Sequence, residues 1–81
     1  MNKQIEKRIG KNIRTLRERA GLTQELLSTK LQLEGCDLTR SALAKIEAGQ
    51  RHLYPDEILK MKKVLEVSFE EIFDMSEDVC R

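Results

Sequence analysis

The sequence predicts one compact all-α domain of five short helices. A chain of 81 residues has the length of a single small domain. Apolar residues recur at steps of three and four, and no strand-like alternation extends beyond a few residues. Thr, Pro and Ser residues precede the later apolar stripes, where helices commonly begin. We assign residues 1–74 to this domain and 75–81 to a polar C-terminal tail that frays.

Composition narrows the class of protein. With 40% hydrophobic and 36% charged residues, the chain can bury one core and does not resemble a disordered protein. It contains no run of 18 apolar residues, so we expect no membrane-spanning helix. Its first residues lack the apolar stretch of a signal peptide, so we expect a cytoplasmic protein.

Charge is distributed unevenly along the chain. Residues 1–20 carry a net charge of +5, residues 21–54 are neutral, and residues 55–81 carry −4. The molecule is therefore expected to have a basic end and an acidic end. Such a pattern is compatible with a polyanion on one side and with solvent or a protein partner on the other.

Cysteine and histidine content gives no support to metal or catalytic chemistry. Cys36 and Cys80 are 44 residues apart with no CxxC spacing, so we expect two free thiols and no metal. His52 is the single imidazole, and no nucleophile or base stands next to it in a catalytic pattern. We interpret it as a loop residue near a helix end. We expect no enzymatic activity, cofactor or small-molecule ligand.

Two helices are predicted before residue 32. The first ends at Gly21, which suits the position just after a helix, whereas Gly10 inside it should lower its stability modestly. Its apolar stripe consists of Ile5, Ile9, Ile13, Leu16 and Ala20. The second helix begins after Thr23, a good N-cap residue. Its stripe consists of Leu26, Leu27 and Leu31. Residues 32–37 have no clear period, so we interpret them as a turn or loop.

The third helix is predicted to begin after Thr39 and to end before Gly49. Leu38 and Leu43 have the spacing of a hydrophobic staple across its start, and Leu43 and Ile46 should face inward. The opposite face is small, polar and basic, with Arg40, Ser41, Ala44 and Lys45. Arg, Lys and Ser can bind base edges and Ala permits close approach, so this face suits the DNA major groove. The other interpretation is that Arg40 and Lys45 are ordinary surface charges.

Two further helices complete the predicted domain. The fourth begins at Pro55, with two acidic residues in its first turn. Its stripe consists of Ile58, Met61 and Leu65. The fifth follows Ser68, which forms a capping box with Glu71, while Val67 and Ile72 form a second staple.

These elements, in this order, resemble the Xre/Cro-type helix-turn-helix family of bacterial and phage repressors. The resemblance covers residues 5–74 and rests on three motifs: Gly-Leu-Thr-Gln at 21–24, Arg-Ser-x-Leu-x-Lys-Ile-Glu-x-Gly at 40–49 and Val-Ser-x-Glu-Glu-Ile-Phe at 67–73. It implies a five-helix, lambda-repressor-like DNA-binding domain whose second and third helices dock on the major groove.

The resemblance also implies roles for individual residues. Gln24 opens the second helix and clamps a phosphate or an outer base, and Thr39 binds phosphate at the start of the third. Thr23, the N-cap of the second helix, is also a candidate for DNA binding. Base-facing positions of the third helix are Arg40, Ser41, Ala44 and Lys45, and the loop along the DNA backbone contains Gln50, Arg51 and His52. Arg17 and Glu47 match an internal ion pair between the first and third helices.

The chain departs from the family pattern in the turn between these two helices. The usual turn is short and has a Gly where this chain has Gln32, and about five extra residues lengthen the turn over residues 32–38. A loop longer by this amount costs well under about 1 kcal/mol in closure entropy, so the fold should tolerate it. Leu33 and Cys36 are expected to fill a small apolar gap beneath it.

We therefore expect a sequence-specific, double-stranded-DNA-binding transcriptional regulator, specifically a repressor. A homodimer on a palindromic operator is expected, because one small helix reads few base pairs. The last helix and tail are the expected dimer surface, with Ile72, Phe73, Met75 and Val79 as apolar candidates. The alternative is a protein-interaction module, antitoxin-like or partner-docking, that uses the acidic C-terminal helix.

Overall fold

The computed structural model describes residues 2–76, and these residues form five helices and no strand. The helices are α1 (Lys3–Arg19), α2 (Gln24–Leu33), α3 (Arg40–Glu47), α4 (Pro55–Leu65) and α5 (Phe69–Ile72). The prediction of an all-α, five-helix domain is confirmed. No helix of the described segment is long and apolar enough to cross a membrane.

The ends of α1 follow from the residues that flank it. At its start, the Asn2 side chain accepts hydrogen bonds from the N–H groups of Gln4 and Ile5. At its end, Gly21 adopts a φ of 75°, and its N–H donates to the Glu18 carbonyl. This left-handed residue ends the helix at the predicted position, because it turns the backbone where most side chains would strain it.

The two helices of the helix-turn-helix unit both begin at threonine caps. The Oγ1 of Thr23 accepts a hydrogen bond from the Leu26 N–H at 3.0 Å, and Thr39 does the same for Ala42 at 3.1 Å. Leu38 and Leu43, the predicted staple across the start of α3, are both fully buried. Each cap satisfies a backbone donor that a helix start otherwise leaves to solvent.

The lengthened turn begins later than predicted, because α2 continues through Leu33. Gly35, with a φ of 83°, lies in the turn that follows. The side chains of Ser28 and Gln32 both donate to the Leu38 carbonyl, at 2.6 and 3.1 Å, and so tie the turn to α2. Helical backbone bonds and these two side chains outweigh the weak periodicity that suggested a loop from residue 32.

Two predictions about apolar residues in this half of the domain are only partly right. Leu33 is 81% exposed and does not fill a gap beneath the turn, whereas Cys36 is buried there. Leu26 is 50% exposed and is not part of the buried stripe of α2. The reason is geometric: the core lies on one side of α2 only, beneath Leu27 and Leu31.

The last two helices are capped by carboxylates. Glu57 Oε1 accepts the Tyr54 N–H at 3.0 Å at the start of α4. Ser68 and Glu71 form the predicted capping box at the start of α5, with hydrogen bonds of 3.0 and 3.1 Å. Ile72 is fully buried, so it belongs to the core and is unavailable for the dimer surface.

A single core joins all five helices. It consists of Ile13, Leu16, Leu27, Leu31, Cys36, Leu38, Leu43, Ile46, Met61, Leu65 and Ile72. Phe73 and Met75 remain partly exposed beyond α5, and Val79, Cys80 and most of the expected tail lie outside the described residues.

α1 and α3 pack closely at Gly10. A Cβ at this position would lie 2.2 Å from the Ile46 carbonyl oxygen and 2.8 Å from that of Glu47. The glycine therefore allows the two backbones to approach, a role that the expectation of a modest helix-weakening residue missed.

Candidate nucleic-acid interface

The outward face of α3 is the centre of the candidate interface. Arg40, Ser41 and Lys45 are exposed, and Ala44 is half-buried between them. Leu43 and Ile46 hold the opposite side of the helix in the core. The core contacts thus fix which side chains of α3 point to solvent.

The start of α2 lies beside this face. One shallow groove is lined by Thr23 and Gln24 of α2 together with Arg40 of α3, and a neighbouring groove is lined by Gln24 and Ala44. The structure therefore brings together four of the side chains that the sequence proposed for DNA binding. Their surroundings combine backbone N–H groups at two helix starts with basic and amide side chains, which are the groups that bind phosphates and base edges.

A buried ion pair connects α1 to α3 beneath the candidate interface. The guanidinium of Arg17 makes two hydrogen bonds to the Glu47 carboxylate, from Nε to Oε2 at 2.7 Å and from Nη2 to Oε1 at 3.1 Å. The two side chains are only 9% and 4% exposed. Hydrogen bonding to Glu47 raises the pKa of Arg17 against the opposing effect of burial, so the guanidinium stays charged.

The same ion pair reaches the loop before α2. Arg17 Nη1 donates to the Leu22 carbonyl at 2.9 Å, and Gln24 Nε2 donates to Glu47 Oε1 at 3.0 Å. The end of α1, the start of α2 and the end of α3 are therefore linked by one polar cluster. Sequence reasoning placed Gln24 on DNA and Glu47 in the interior, and did not predict that they bind each other.

The loop after α3 differs from its expected use in one respect. Gln50 is exposed, and His52 lies in the loop as expected, with Nδ1 3.3 Å from Glu6 Oε2. Arg51, however, is paired with Glu57, at 2.9 Å from Nη1 to Oε1 and 3.0 Å from Nη2 to Oε2. A backbone phosphate would have to share this guanidinium with an internal carboxylate.

Burial by itself raises the pKa of Glu57. Hydrogen bonds from Arg51 and from the Tyr54 N–H, with the charge of Arg51, outweigh burial and leave that pKa below its ordinary value. The sequence signal for this site was the acidic residue in the first turn of α4, since a carboxylate there caps the helix. Its pairing with Arg51 depends on the path of the loop and left no signal in the sequence.

Sequence reasoning also missed Arg14 as a residue of the candidate interface, because the sequence shows it only as one of several basic residues of α1. It lines the same groove as Gln24 and Ala44 and is paired with Glu18 at 3.2 Å.

In the part of the chain that the structure describes, no three His, Cys, Asp or Glu side chains are grouped as metal ligands. Burial raises the pKa of the Cys36 thiol, which keeps it protonated.

Comparison with known proteins agrees with this geometry. The family model described as Helix-turn-helix matches residues 13–72, from the middle of α1 to the end of α5. No curated protein and no solved structure matches the chain. The family match covers most of the chain and includes both threonine-capped helices and the turn between them. The chain therefore belongs to the Xre/lambda-repressor-like helix-turn-helix family of DNA-binding regulators.

Proposed function

We propose that this protein is a sequence-specific transcriptional repressor without enzymatic activity, which docks α3 in the major groove of a palindromic operator as a homodimer. One observation carries the proposal: α3 exposes Arg40, Ser41 and Lys45 to solvent, and Arg40 lies beside the start of α2. An α-helix fits the major groove, where Arg and Lys bind guanine and Ser pairs with several base edges.

Contacts with the DNA backbone would set the position of α3 along the duplex. The hydroxyl groups of Thr23 and Thr39 accept hydrogen bonds from their own helices and retain a proton that can be donated to a phosphate. Two helix starts on one surface also present backbone N–H groups that a phosphate can bind. Contacts of this kind position the protein, and the side chains of α3 supply sequence preference.

The small size of α3 supports the proposal of a dimer, and a repressor role is the simplest one for a DNA-binding domain. α3 has eight residues, so one copy contacts few base pairs, and a second copy on the other half of a palindrome supplies the missing specificity. Repression requires only that a site be occupied, which a DNA-binding domain can accomplish alone.

The test begins with selection of bound fragments from genomic DNA, followed by gel shifts on the selected duplex and a scrambled one. Arg40→Ala and Lys45→Ala should each lose about 1–3 kcal/mol on the selected duplex and much less on the scrambled one. Lys30→Ala is the matched control, because this exposed lysine lies on α2 beside Leu33 and Lys63, apart from the α3 face.

The gel shifts distinguish sequence reading by α3 from binding by charge alone and from absence of DNA binding. Equal losses on both duplexes would show that α3 binds DNA only by charge, and would remove the claim of sequence reading. Absence of any DNA binding, together with capture of a protein partner, would favour an interaction module. Arg51→Ala should weaken binding to both duplexes alike and reduce the salt dependence by about one ion, because its guanidinium can meet a phosphate while it is paired with Glu57.

A further inference from the structure

The buried Glu47 carboxylate makes one hydrogen bond beyond those of its ion pair with Arg17. Its Oε1 accepts two hydrogen bonds, one from Arg17 and one from the Gln24 side-chain amide at 3.0 Å. Arg17 alone already binds both carboxylate oxygens. The bond to Gln24 is therefore not needed to compensate the buried charge.

This bond fixes the orientation of the Gln24 amide. A carboxylate only accepts hydrogen bonds, so the amide nitrogen of Gln24 must face Glu47. Gln24 lines the grooves beside Arg40 and Ala44. Its amide oxygen and its second N–H are the groups left to bind a ligand on that surface.

We propose that Glu47 is a positioning residue for DNA binding, which acts by holding the Gln24 amide in its DNA-binding orientation; this inference rests on the proposed function. A free glutamine side chain loses rotamer freedom when a ligand orders it, at a cost of about tenfold in the binding constant. In this fold the Gln24 side chain loses that rotamer freedom when the chain folds, so DNA binds an amide that is already ordered. The last residue of α3 thereby controls a contact made by the first residue of α2.

The first measurement uses the free protein and needs no DNA. Side-chain ¹⁵N relaxation should show the Gln24 amide more ordered than those of Gln4 and Gln50, which are exposed. The order should disappear in the double variant Arg17→Met/Glu47→Leu, in which apolar side chains replace the ion pair and no lone buried charge remains. A Gln24 amide as mobile as the exposed glutamines in the wild type would overturn the inference, whether or not any variant folds.

The second measurement is DNA affinity in two backgrounds. Gln24→Ala should weaken binding about tenfold in the wild type, and by less than about twofold in the double variant, where the amide is no longer held. Lys45→Ala is the matched control and should cost the same in both backgrounds, because Lys45 does not line the grooves around Gln24.

Failure of the inference and failure of the proposed function differ in outcome. If Gln24→Ala costs the same in both backgrounds, Glu47 has only a structural role and the inference is overturned while DNA binding stands. If the wild-type protein binds no selected duplex, the proposed function fails and the inference fails with it, even with an ordered Gln24 amide.

Discussion

At the residue scale, the Glu47 side chain links three helices through its hydrogen bonds. It binds Arg17 of α1 and Gln24 of α2 from the end of α3, and it is almost fully buried. A buried ion pair is a weak source of net stability, but loss of one partner leaves the other charge without compensation in a low dielectric.

We expect Glu47→Ala to lower the free energy of unfolding by about 3–5 kcal/mol, because Arg17 then remains buried and unpaired. Urea denaturation followed by circular dichroism measures the change. Glu18→Ala is the control, since its pair with Arg14 is exposed and should be worth less than about 1 kcal/mol. A Glu47→Ala variant as stable as the wild type would contradict the structural role of the pair.

Glu57 should make stability depend on acid pH. Its folded-state pKa is depressed, so its stabilising contribution is fully present above the ordinary glutamate pKa of 4.5 and is lost as pH falls through the lower folded value. Glu57→Gln should cost about 1–2 kcal/mol at pH 7, and the difference from the wild type should shrink toward pH 3.

Urea titrations across this pH range measure the difference between the two proteins. Asp37→Asn, an exposed change in the turn after α2, is the control and should leave stability nearly unaltered at pH 7. A gap between wild type and Glu57→Gln that stayed constant down to pH 3 would mean that the Arg51 contact does not stabilise the carboxylate.

At the scale of elements, the crossing of α1 and α3 decides how the outward face of α3 is presented. At Gly10 of α1, backbone oxygens of α3 occupy the space that a side chain would need. Since α1 carries Arg17 and α3 carries Glu47, this close approach also brings the ion pair within hydrogen-bond distance.

Gly10→Ala should lower stability by about 1–3 kcal/mol, because its Cβ would collide with α3 backbone oxygens. Helix propensity alone predicts the opposite sign, a gain of about 1 kcal/mol. Thermal melting distinguishes the two, with Thr15→Ala, an exposed change on α1, as a control that should have a small effect. A more stable Gly10→Ala variant would show that the helices can separate without cost.

At the scale of the whole molecule, two copies of α3 must meet one face of DNA for the proposed palindromic site to be read. Half-sites then lie about one helical turn apart. A duplex with both half-sites should bind two chains, and insertion of five base pairs between them should weaken binding at least about tenfold, because it rotates one half-site to the opposite face of the duplex.

Gel-shift titration combined with light scattering of the complex measures affinity and stoichiometry together. A duplex with one half-site scrambled is the control and should bind no tighter than the spaced duplex. Affinity unchanged by the insertion, with one chain bound per half-site, would indicate independent monomers.

Local sequence determined where the helices begin and where α1 ends. Thr23, Thr39 and Ser68 cap backbone groups within three residues of themselves, and Gly21 ends α1 by its own conformation, so these features need no tertiary context. The outward face of α3 was predictable for the same reason, because the spacing of Leu43 and Ile46 fixes which side enters a core.

Only the tertiary structure decided the partners of Gln24 and Arg51. The bonds from Gln24 to Glu47 and from Arg51 to Glu57 join residues on different elements, and their geometry depends on how those elements pack. Gly10 changed from a weak point of a helix to a contact between helices, and Leu33 proved exposed, because burial depends on what lies opposite a residue. A one-dimensional pattern shows the period of an element, whereas the space facing each residue is set by the rest of the chain.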